Sequence, residues 1–186
     1  LIQSALKDEP VICALQLEQL GTAHAVLQCK KLLQDFNGNV LILYGDVPLI
    51  KVKTLENLLS IHNDQDSQST VLTTDLPNPT GYGRIIRNKD KSLKKIVEEK
   101  DATSKERAIH EINSGIYAFN ARTLFNLLPL VGNNNAQNEY YLPDVLNLII
   151  MKKEKVAIDK INNYLEIQGV NNANQLNKLN KYFEKI

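Results

Sequence analysis

The side chains best suited to chemistry stand next to apolar stretches of the sequence. Gly45-Asp46 directly follows the apolar residues 40–44, and Gly21-Thr22 opens a helical stretch downstream of another apolar run, residues 11–15. A carboxylate such as that of Asp46 is an oxygen ligand of the kind that a hard divalent cation bound to phosphates requires. A simple cap of the turn that leads to Pro48 explains the aspartate equally well.

Glycines and polar side chains add possible contacts to an organic ligand. At Gly21-Thr22 the backbone can approach a ligand closely and offer free N–H groups, although a plain N-cap threonine is the simpler explanation. Gly81-Tyr82-Gly83-Arg84 could fold over a flat ligand or form a hairpin turn. Glu98 could turn inward or stand on a solvated rim. Asn113 and Asn171 could recognise hydroxyl and amide groups, complete a cation shell, or bond only to backbone.

The composition excludes several classes of protein. The 186 residues include 22 basic and 21 acidic side chains, with no clustered basic patch, so we expect no nucleic-acid partner. No apolar run approaches the roughly 18 residues of a membrane span, so no membrane association is expected, and no histidine and cysteine spacing indicates zinc. Cys13 and Cys29 have apolar neighbours, which favours two buried thiols in a reducing, cytoplasmic compartment over a disulfide.

Alternating β and α segments must position these side chains. Strands are predicted at residues 11–15, 40–44, 69–76, 82–87, 92–98, 111–119, 155–161 and 164–170. Helices are predicted at residues 23–36, 54–62, 121–128, 143–153 and 172–183, with a short one opened by a capping box at Thr103 and Glu106. Unbroken apolar runs suit strands that are buried on both faces of a parallel sheet. We therefore predict one α/β domain, residues 1–186, whose mixed, mainly parallel sheet binds its ligand at the carboxyl ends of strands.

Seven motifs in a fixed order are more specific together than any one of them alone. They are QLEQLGTAHA from residue 16, YGDVPL from 44, PTGYGRI from 79, VEEKDA from 97, EINSGI from 111, NNNAQNEYY from 133 and GVNN from 169. Over essentially the whole chain, this order resembles the uridyltransferase domain of the bacterial bifunctional N-acetylglucosamine-1-phosphate uridyltransferase/glucosamine-1-phosphate acetyltransferase. The resemblance implies a Rossmann-like nucleotidyltransferase (nucleotide-diphospho-sugar transferase) fold. It also implies that UTP and N-acetylglucosamine-1-phosphate give UDP-N-acetylglucosamine and pyrophosphate, for cell-wall peptidoglycan and lipopolysaccharide precursors.

The resemblance assigns expected roles to residues that match the family motifs. The uracil would be held by Gln16, Gly21 and Thr22, and the ribose and diphosphate by Tyr44, Gly45 and Asp46. Mg²⁺ would be bound by Asp46 and Asn171, the two residues expected to be catalytic. The N-acetylglucosamine moiety would be held by Gly83, Glu98 and Asn113, and its side of the site lined less directly by Glu139 and Tyr141.

The sequence also departs from the family pattern. Pro143 stands where the pattern has threonine, at one edge of the sugar pocket. The family's glycine-rich loop, Leu-Ala-Ala-Gly-x-Gly-Thr-x-Met followed by a lysine, does not occur, and neither does a hexapeptide-repeat acetyltransferase half. We therefore expect a domain incomplete at its N-terminus, weak or inactive alone and monomeric, whereas the full-length family forms homotrimers. Another sugar-1-phosphate nucleotidyltransferase and a non-catalytic sugar-nucleotide-binding module are the alternatives.

Overall fold

A computed structural model describes residues 2–170 and 172–183 as an α/β structure. The helices are α1 (Ile2–Ala5), α2 (Thr22–Leu27), α3 (Val52–Asp64), α4 (Ser104–Arg107), α5 (Ala121–Leu127), α6 (Pro143–Met151) and α7 (Ala173–Phe183). The strands are β1 (Asn39–Ile42), β2 (Ser69–Asp75), β3 (Arg84–Arg87), β4 (Leu93–Val97), β5 (Glu111–Asn120) and β6 (Val156–Lys160). Two 3₁₀ helices, η1 (Leu128–Leu130) and η2 (Tyr164–Ile167), complete the described elements.

The six strands form one mixed sheet in the order β4-β3-β5-β2-β6, with β1 paired to β5 beside this path. Four of its pairings are antiparallel, β1 with β5, β2 with β5, β3 with β4 and β3 with β5, and only β2 with β6 is parallel. The mixed α/β sheet is confirmed, but the prediction that it is mainly parallel is wrong for these strands. An apolar run shows that both faces of a strand are covered, and it carries no information about the direction of the neighbouring strand.

Both faces of the sheet are covered by apolar side chains. Val71 belongs to a cluster on one face, with residues of α5 and α6, whereas the next residue, Leu72, packs on the other face against α3. Tyr117 and Phe119 alternate with Ile116 in the same way along β5. The central strands are therefore rigidly held, and they can position polar groups at their ends.

A fork in the sheet creates the space for a site. β2 occupies one edge of β5, so β1 and β3 share the other edge: Ile42 pairs with Tyr117, and Arg84 pairs with Ile112. Between these two pairings, β5 is irregular and Gly115 has a φ of +79°. The chain segments that follow β1 and precede β3 therefore both face the irregular centre of β5.

Several local predictions are confirmed. The hairpin predicted at residues 82–98 is present as β3 and β4. The capping box is complete, because the Thr103 side chain accepts from Glu106 N and the Glu106 carboxylate accepts from Thr103 N. Among the described helices, none combines the length and the apolar character that crossing a membrane requires.

Other local predictions are wrong. Residues 11–15 form no strand and no described strand pairs with them, so Ile12 is 80% exposed. Cys13 is exposed rather than buried, and Cys29 is half-buried; both are free thiols. Residues 164–167 form η2 instead of the start of a strand. The helix predicted at residues 23–36 ends at Leu27 and continues as turns with i to i−3 hydrogen bonds. Residues 11–15 have no described strand beside them, whereas Ala23 and Ile167 pack in the apolar core, so the apolar pattern indicated burial of these two segments but not their backbone conformation.

Candidate functional site

A cavity of about 430 Å³ opens at the fork between β1 and β3. It is lined by Tyr44, Asp46, Val47, Thr80, Gly81, Tyr82, Gly83, Glu98, Asn113, Ser114, Gly115, Ile167, Gln168, Gly169 and Gln175. Five residues to which the resemblance assigned a role are among them: Tyr44, Asp46, Gly83, Glu98 and Asn113. They come from four separate chain segments, so the fold brings together side chains that no local pattern could join.

The wall nearest β1 is built by Tyr44 against a glycine of β5. A Cβ at Gly115 would lie only 1.8 Å from Tyr44 Cε2, so the aromatic ring packs directly on the Gly115 backbone. Burial, with the nearby Glu98 and Asp46 carboxylates, raises the pKa of Tyr44 to about 12, while a hydrogen bond with the Thr22 side chain lowers it in part. The phenol is therefore neutral near pH 7 and can donate a hydrogen bond to a ligand.

Asp46 is positioned through its backbone and leaves its carboxylate to the cavity. Val170 N donates to Asp46 O at 2.8 Å, and a Cβ at Gly169 would lie 3.2 Å from Asp46 Oδ2. Asp46 lines the cavity, and no described residue forms a hydrogen bond or ion pair with its carboxylate. Among the described residues, no group of three or more histidine, cysteine, aspartate or glutamate side chains could hold a metal ion. One free carboxylate nevertheless fits Mg²⁺, which is commonly held by one or two carboxylates together with substrate phosphates.

Gly83, Glu98 and Asn113 form another part of the cavity wall. The Gly83 carbonyl accepts from Asn113 N at 2.9 Å, and a Cβ at Gly83 would lie 3.0 Å from Glu98 Oε1. The Asn113 amide donates to Tyr117 OH at 2.7 Å and accepts from Gly115 N at 3.2 Å. One N–H and one lone pair of this amide have no partner among the described residues, so they can meet a ligand.

The turn before β3 is held by the buried Arg84, which belongs to a sequence motif but had no role assigned to it from the sequence. Arg84 is 1% exposed, forms an ion pair with Glu99 at 2.6 Å, and donates to the carbonyl of Tyr82. Tyr82 lies in the cavity wall, where burial and Asp46 raise its pKa and a hydrogen bond with the Gly169 backbone lowers it in part. In the sequence, the glycines on either side of Tyr82 were the signal that marked this tyrosine as a possible ligand contact.

Glu98 stands between two carboxylates in a poorly hydrated position. Burial, followed by the nearby Asp144 and Asp101, raises the pKa of Glu98 to about 7, against a smaller opposing effect of Arg84. Near neutral pH, the carboxyl can therefore act either as a hydrogen-bond donor or as an acceptor towards a ligand.

Replacing Glu98 with glutamine is expected to stabilise the chain at pH 8 and to change its stability little at pH 5. The pKa of Glu98, about 7, lies above the ordinary 4.5. The protonated Glu98 carboxyl therefore makes its full contribution to the free energy of unfolding below about pH 4.5, and this contribution is lost as the pH rises through 7. Glutamine resembles the protonated carboxyl at every pH. Melting temperatures between pH 5 and 8 test this, with the exposed Glu154→Gln as the control; parallel profiles for the two variants would contradict it.

The segment predicted to hold uracil lies next to Tyr44, whose phenol forms a hydrogen bond with the Thr22 side chain. Gly21 has a φ of +113°, and its neighbours bond to Tyr140: Ala23 N donates to Tyr140 O at 2.9 Å, and Tyr140 N donates to Leu20 O at 2.8 Å. Gln16 Nε2 donates to Gly21 O at 3.3 Å. The main-chain path through Gly21 therefore depends on residues more than 100 positions away.

His24, which stands in the first motif but had no role assigned to it from the sequence, contacts this segment. Gln16 Nε2 also contacts His24 Nδ1 at 3.0 Å, and Gln28 Nε2 contacts His24 Nε2 at 3.2 Å. The Thr22 hydroxyl accepts from Leu142 N at 2.9 Å. His24 lies on the polar face of the predicted helix at residues 23–36, and this position did not distinguish it from a surface histidine.

The remaining predicted residues lie outside the 430 Å³ cavity. Tyr141 and Pro143 line a neighbouring cavity of about 440 Å³, which shares Glu98 with the first. Glu139 lies beside Gly21, since a Cβ on that glycine would be 3.1 Å from Glu139 Cβ. Gly45 has no atom within 4 Å of its Cβ position. Asn171 lies outside the described residues, so its predicted role as a metal ligand stays a prediction.

Known proteins are similar to this chain along most of its length. A family model described as nucleotidyl transferase matches residues 2–164. The Bifunctional protein GlmU of Acetivibrio thermocellus is 48% identical over 168 residues, which are 90% of this chain and 36% of that protein. The same-named protein of Halalkalibacterium halodurans is 50% identical over 163 residues, 88% of this chain and 36% of that protein. The chain thus spans little more than a third of the length of these curated relatives.

Solved structures share the fold. A UDP-glucose pyrophosphorylase complexed with UDP-glucose superposes with a TM-score of 0.72 at 18% identity, covering 100% of this chain and 73% of that one. A putative glucose-1-phosphate thymidylyltransferase from Bacillus anthracis superposes with a TM-score of 0.67 at 16% identity, covering 91% of this chain and 63% of that one. These likenesses confirm the predicted fold, and at such identities they speak for the fold alone.

Proposed function

The chain belongs to the nucleotidyl transferase family, and on that premise we propose that it carries the sugar-nucleotide site of a UDP-N-acetylglucosamine pyrophosphorylase. The proposed reaction transfers a uridylyl group from UTP to N-acetylglucosamine-1-phosphate and releases pyrophosphate. Relatives named Bifunctional protein GlmU, at 48% to 50% identity, support this member of the family over others. Mg²⁺, a cytoplasmic location, and a homotrimer for the longer protein stay predictions.

One observation carries the proposal: the cavity at the fork joins a free carboxylate to polar groups that are uncharged or, like Glu98 with its pKa of about 7, only partly ionised. Asp46 and Tyr44 line this cavity together with the Gly83 backbone, Glu98 and Asn113. A sugar nucleotide likewise combines a charged diphosphate with hydroxyl and amide groups. The arrangement therefore fits a sugar diphosphate better than a ligand that is charged throughout.

The residues of this chain would act by orientation rather than by covalent chemistry. A phosphate oxygen of N-acetylglucosamine-1-phosphate attacks the α-phosphorus of UTP, and the bond from that phosphorus to pyrophosphate breaks in line. Asp46 would hold Mg²⁺, which when bound neutralises charge on the phosphate oxygens. Tyr44 would line the ribose and diphosphate, while Gln16 and the backbone at Gly21 would match the donor and acceptors of uracil.

Glu98 and Asn113 support an N-acetylated sugar. A carboxyl with a pKa of about 7 can donate to a carbonyl oxygen when protonated and accept from a hydroxyl when ionised. The Asn113 amide has one donor and one lone pair to offer. Two adaptable groups on one wall suit the hydroxyl and acetamido substituents of a sugar ring.

Calorimetric titration with UDP-N-acetylglucosamine in Mg²⁺ and in EDTA tests the proposal directly. We expect saturable binding that tightens when Mg²⁺ is added. Binding that ignores the metal would favour a non-catalytic binding module, and UDP-glucose binding as tightly as UDP-N-acetylglucosamine would favour another sugar-1-phosphate specificity. No binding of either nucleotide would overturn the proposed site.

Pyrophosphate release from UTP and N-acetylglucosamine-1-phosphate is expected to be weak or absent for the 186-residue chain. The sequence contains no glycine-rich phosphate loop, and removal of such charge stabilisation typically costs several kcal/mol in the transition state. Robust turnover by the chain alone would contradict this expectation. A version with a glycine-rich loop placed upstream should be active, and its continued inactivity would count against the assignment of the reaction.

A further inference from the structure

A buried glutamate outside the cavity lining ties together two chain segments that meet at Asp46. Glu166, in η2, is 7% exposed. Its carboxylate accepts from Thr54 Oγ1 at 2.5 Å, forms an ion pair with Lys51 Nζ at 3.2 Å, and accepts from Asn163 Nδ2 at 3.4 Å. We call Glu166, Lys51, Thr54 and Asn163 the Glu166 cluster.

Both segments joined by the cluster continue into the cavity wall. Lys51 is five residues after Asp46, and Glu166 is three residues before Gly169. At the other end of these segments, Val170 N donates to Asp46 O at 2.8 Å. The segments 46–54 and 166–170 are therefore joined at two places, by the backbone hydrogen bond at Asp46 and by the contacts of the buried Glu166 carboxylate.

The segment held by Glu166 also sets the surroundings of the Asp46 carboxylate. Gln168 and Gly169 line the cavity directly after η2. The Gly169 backbone stands against Asp46 Oδ2 and forms a hydrogen bond with Tyr82. Asn171, the second predicted metal ligand, is the next residue after Val170 in the sequence. A shift of η2 would thus move the contacts that Gly169 and Val170 make with Asp46.

We propose that Glu166 is a positioning residue that sets the coupling between Mg²⁺ and sugar-nucleotide binding, by holding the 168–170 segment against Asp46. The inference rests on the proposed function. Glu166 touches neither the cavity nor a ligand; it acts through Gly169 and Val170. Groups that orient metal ligands in this way typically change metal affinity by 10- to 100-fold when they are removed.

Binding of UDP-N-acetylglucosamine, measured by calorimetry in Mg²⁺ and in EDTA, tests the proposal on the full 186-residue chain. For Glu166→Gln we expect the tightening caused by Mg²⁺ to shrink by roughly tenfold, with affinity in EDTA close to that of the unsubstituted chain. The matched control is Glu56→Gln, on the same helix as Thr54, where the exposed Glu56 forms an ion pair with Lys53 at 3.6 Å and lies outside the Glu166 cluster. It should leave the coupling unchanged.

Three further variants guard against a folding defect. Lys51→Gln and Thr54→Val each remove one partner of Glu166 and should reduce the coupling by a smaller factor. Lys51→Arg, which keeps the charge, should restore it. A melting temperature is measured for each variant, because a purely structural role would lower stability and weaken binding equally with and without Mg²⁺.

The possible outcomes separate the inference from the proposed function. A loss of coupling in Glu166→Gln with retained affinity in EDTA supports the inference. Unchanged coupling, or equal weakening in both buffers, overturns the inference and leaves the proposed function standing. Failure of the unsubstituted chain to bind UDP-N-acetylglucosamine overturns the proposed function, and this inference with it.

Discussion

Replacing Asp46 with asparagine is expected to abolish the effect of Mg²⁺ on UDP-N-acetylglucosamine binding. The substitution keeps the shape of the side chain and the backbone hydrogen bond from Val170 N, so the fold should be retained. It removes the charge that makes a carboxylate the preferred ligand of a hard cation. Affinity in Mg²⁺ should fall by roughly 10- to 100-fold, to the value found in EDTA, and any turnover should fall by at least about 100-fold.

Titration calorimetry and a pyrophosphate-release assay measure both effects of the Asp46 substitution. Asp35→Asn is the control, because Asp35 is exposed and is not among the residues that line the 430 Å³ cavity. Both effects should be absent in this variant. An Asp46→Asn chain that still responds to Mg²⁺ would show that the metal is held elsewhere.

Replacing Gly21 with alanine is expected to destabilise the chain and to weaken binding at the segment assigned to uracil. The backbone of Gly21, at φ +113° and ψ 176°, lies in a region that residues with a Cβ avoid. The new Cβ would lie 2.6 Å from Tyr140 O and 2.7 Å from Tyr140 N, which are backbone atoms that cannot rotate away. Strain of this kind costs about 1–3 kcal/mol, which for a chain of this size is a fall in melting temperature of roughly 2 to 12 °C.

Thermal unfolding and titration with uridine measure the two consequences of the Gly21 substitution. Gly132→Ala is the matched control, since nothing lies within 4 Å of the Cβ position of Gly132 and it has no positive φ. Its melting temperature should change by less than about 2 °C. If Gly21→Ala melted like the control, the tight contact between Gly21 and Tyr140 would not exist in solution.

Much of the fold could be predicted because it depends on local patterns. The hairpin of β3 and β4 follows from two apolar runs around a polar turn, and the Thr103–Glu106 capping box follows from a spacing of three residues. Residues 11–15 have an equally good strand pattern but no described strand beside them, so they stay exposed. A strand pattern shows what a segment can do, and only a pairing partner realises it.

Some residues of the candidate site are likewise indicated by local patterns, whereas others are brought together only by the fold. Glycines, a carboxylate and amides next to apolar runs are local signals, and they point to Gly21, Asp46 and Asn113. The role of Glu166 had no local signal, because its partners Lys51 and Thr54 lie more than 100 positions earlier in the chain. A contact between such distant segments depends on how the whole sheet is assembled.

By itself, the sequence determined which residue types could bind a sugar nucleotide, the approximate bounds of most elements, and the family to which the chain belongs. The tertiary structure decided the mainly antiparallel pairing, the fork at β5, and the raised pKa of Glu98. It also decided that Gly169 faces the Asp46 carboxylate and that Tyr44 packs on Gly115. The physical reason is that periodicity and turn residues act over a few neighbours, whereas strand direction, desolvation and the field of nearby charges are properties of the packed chain.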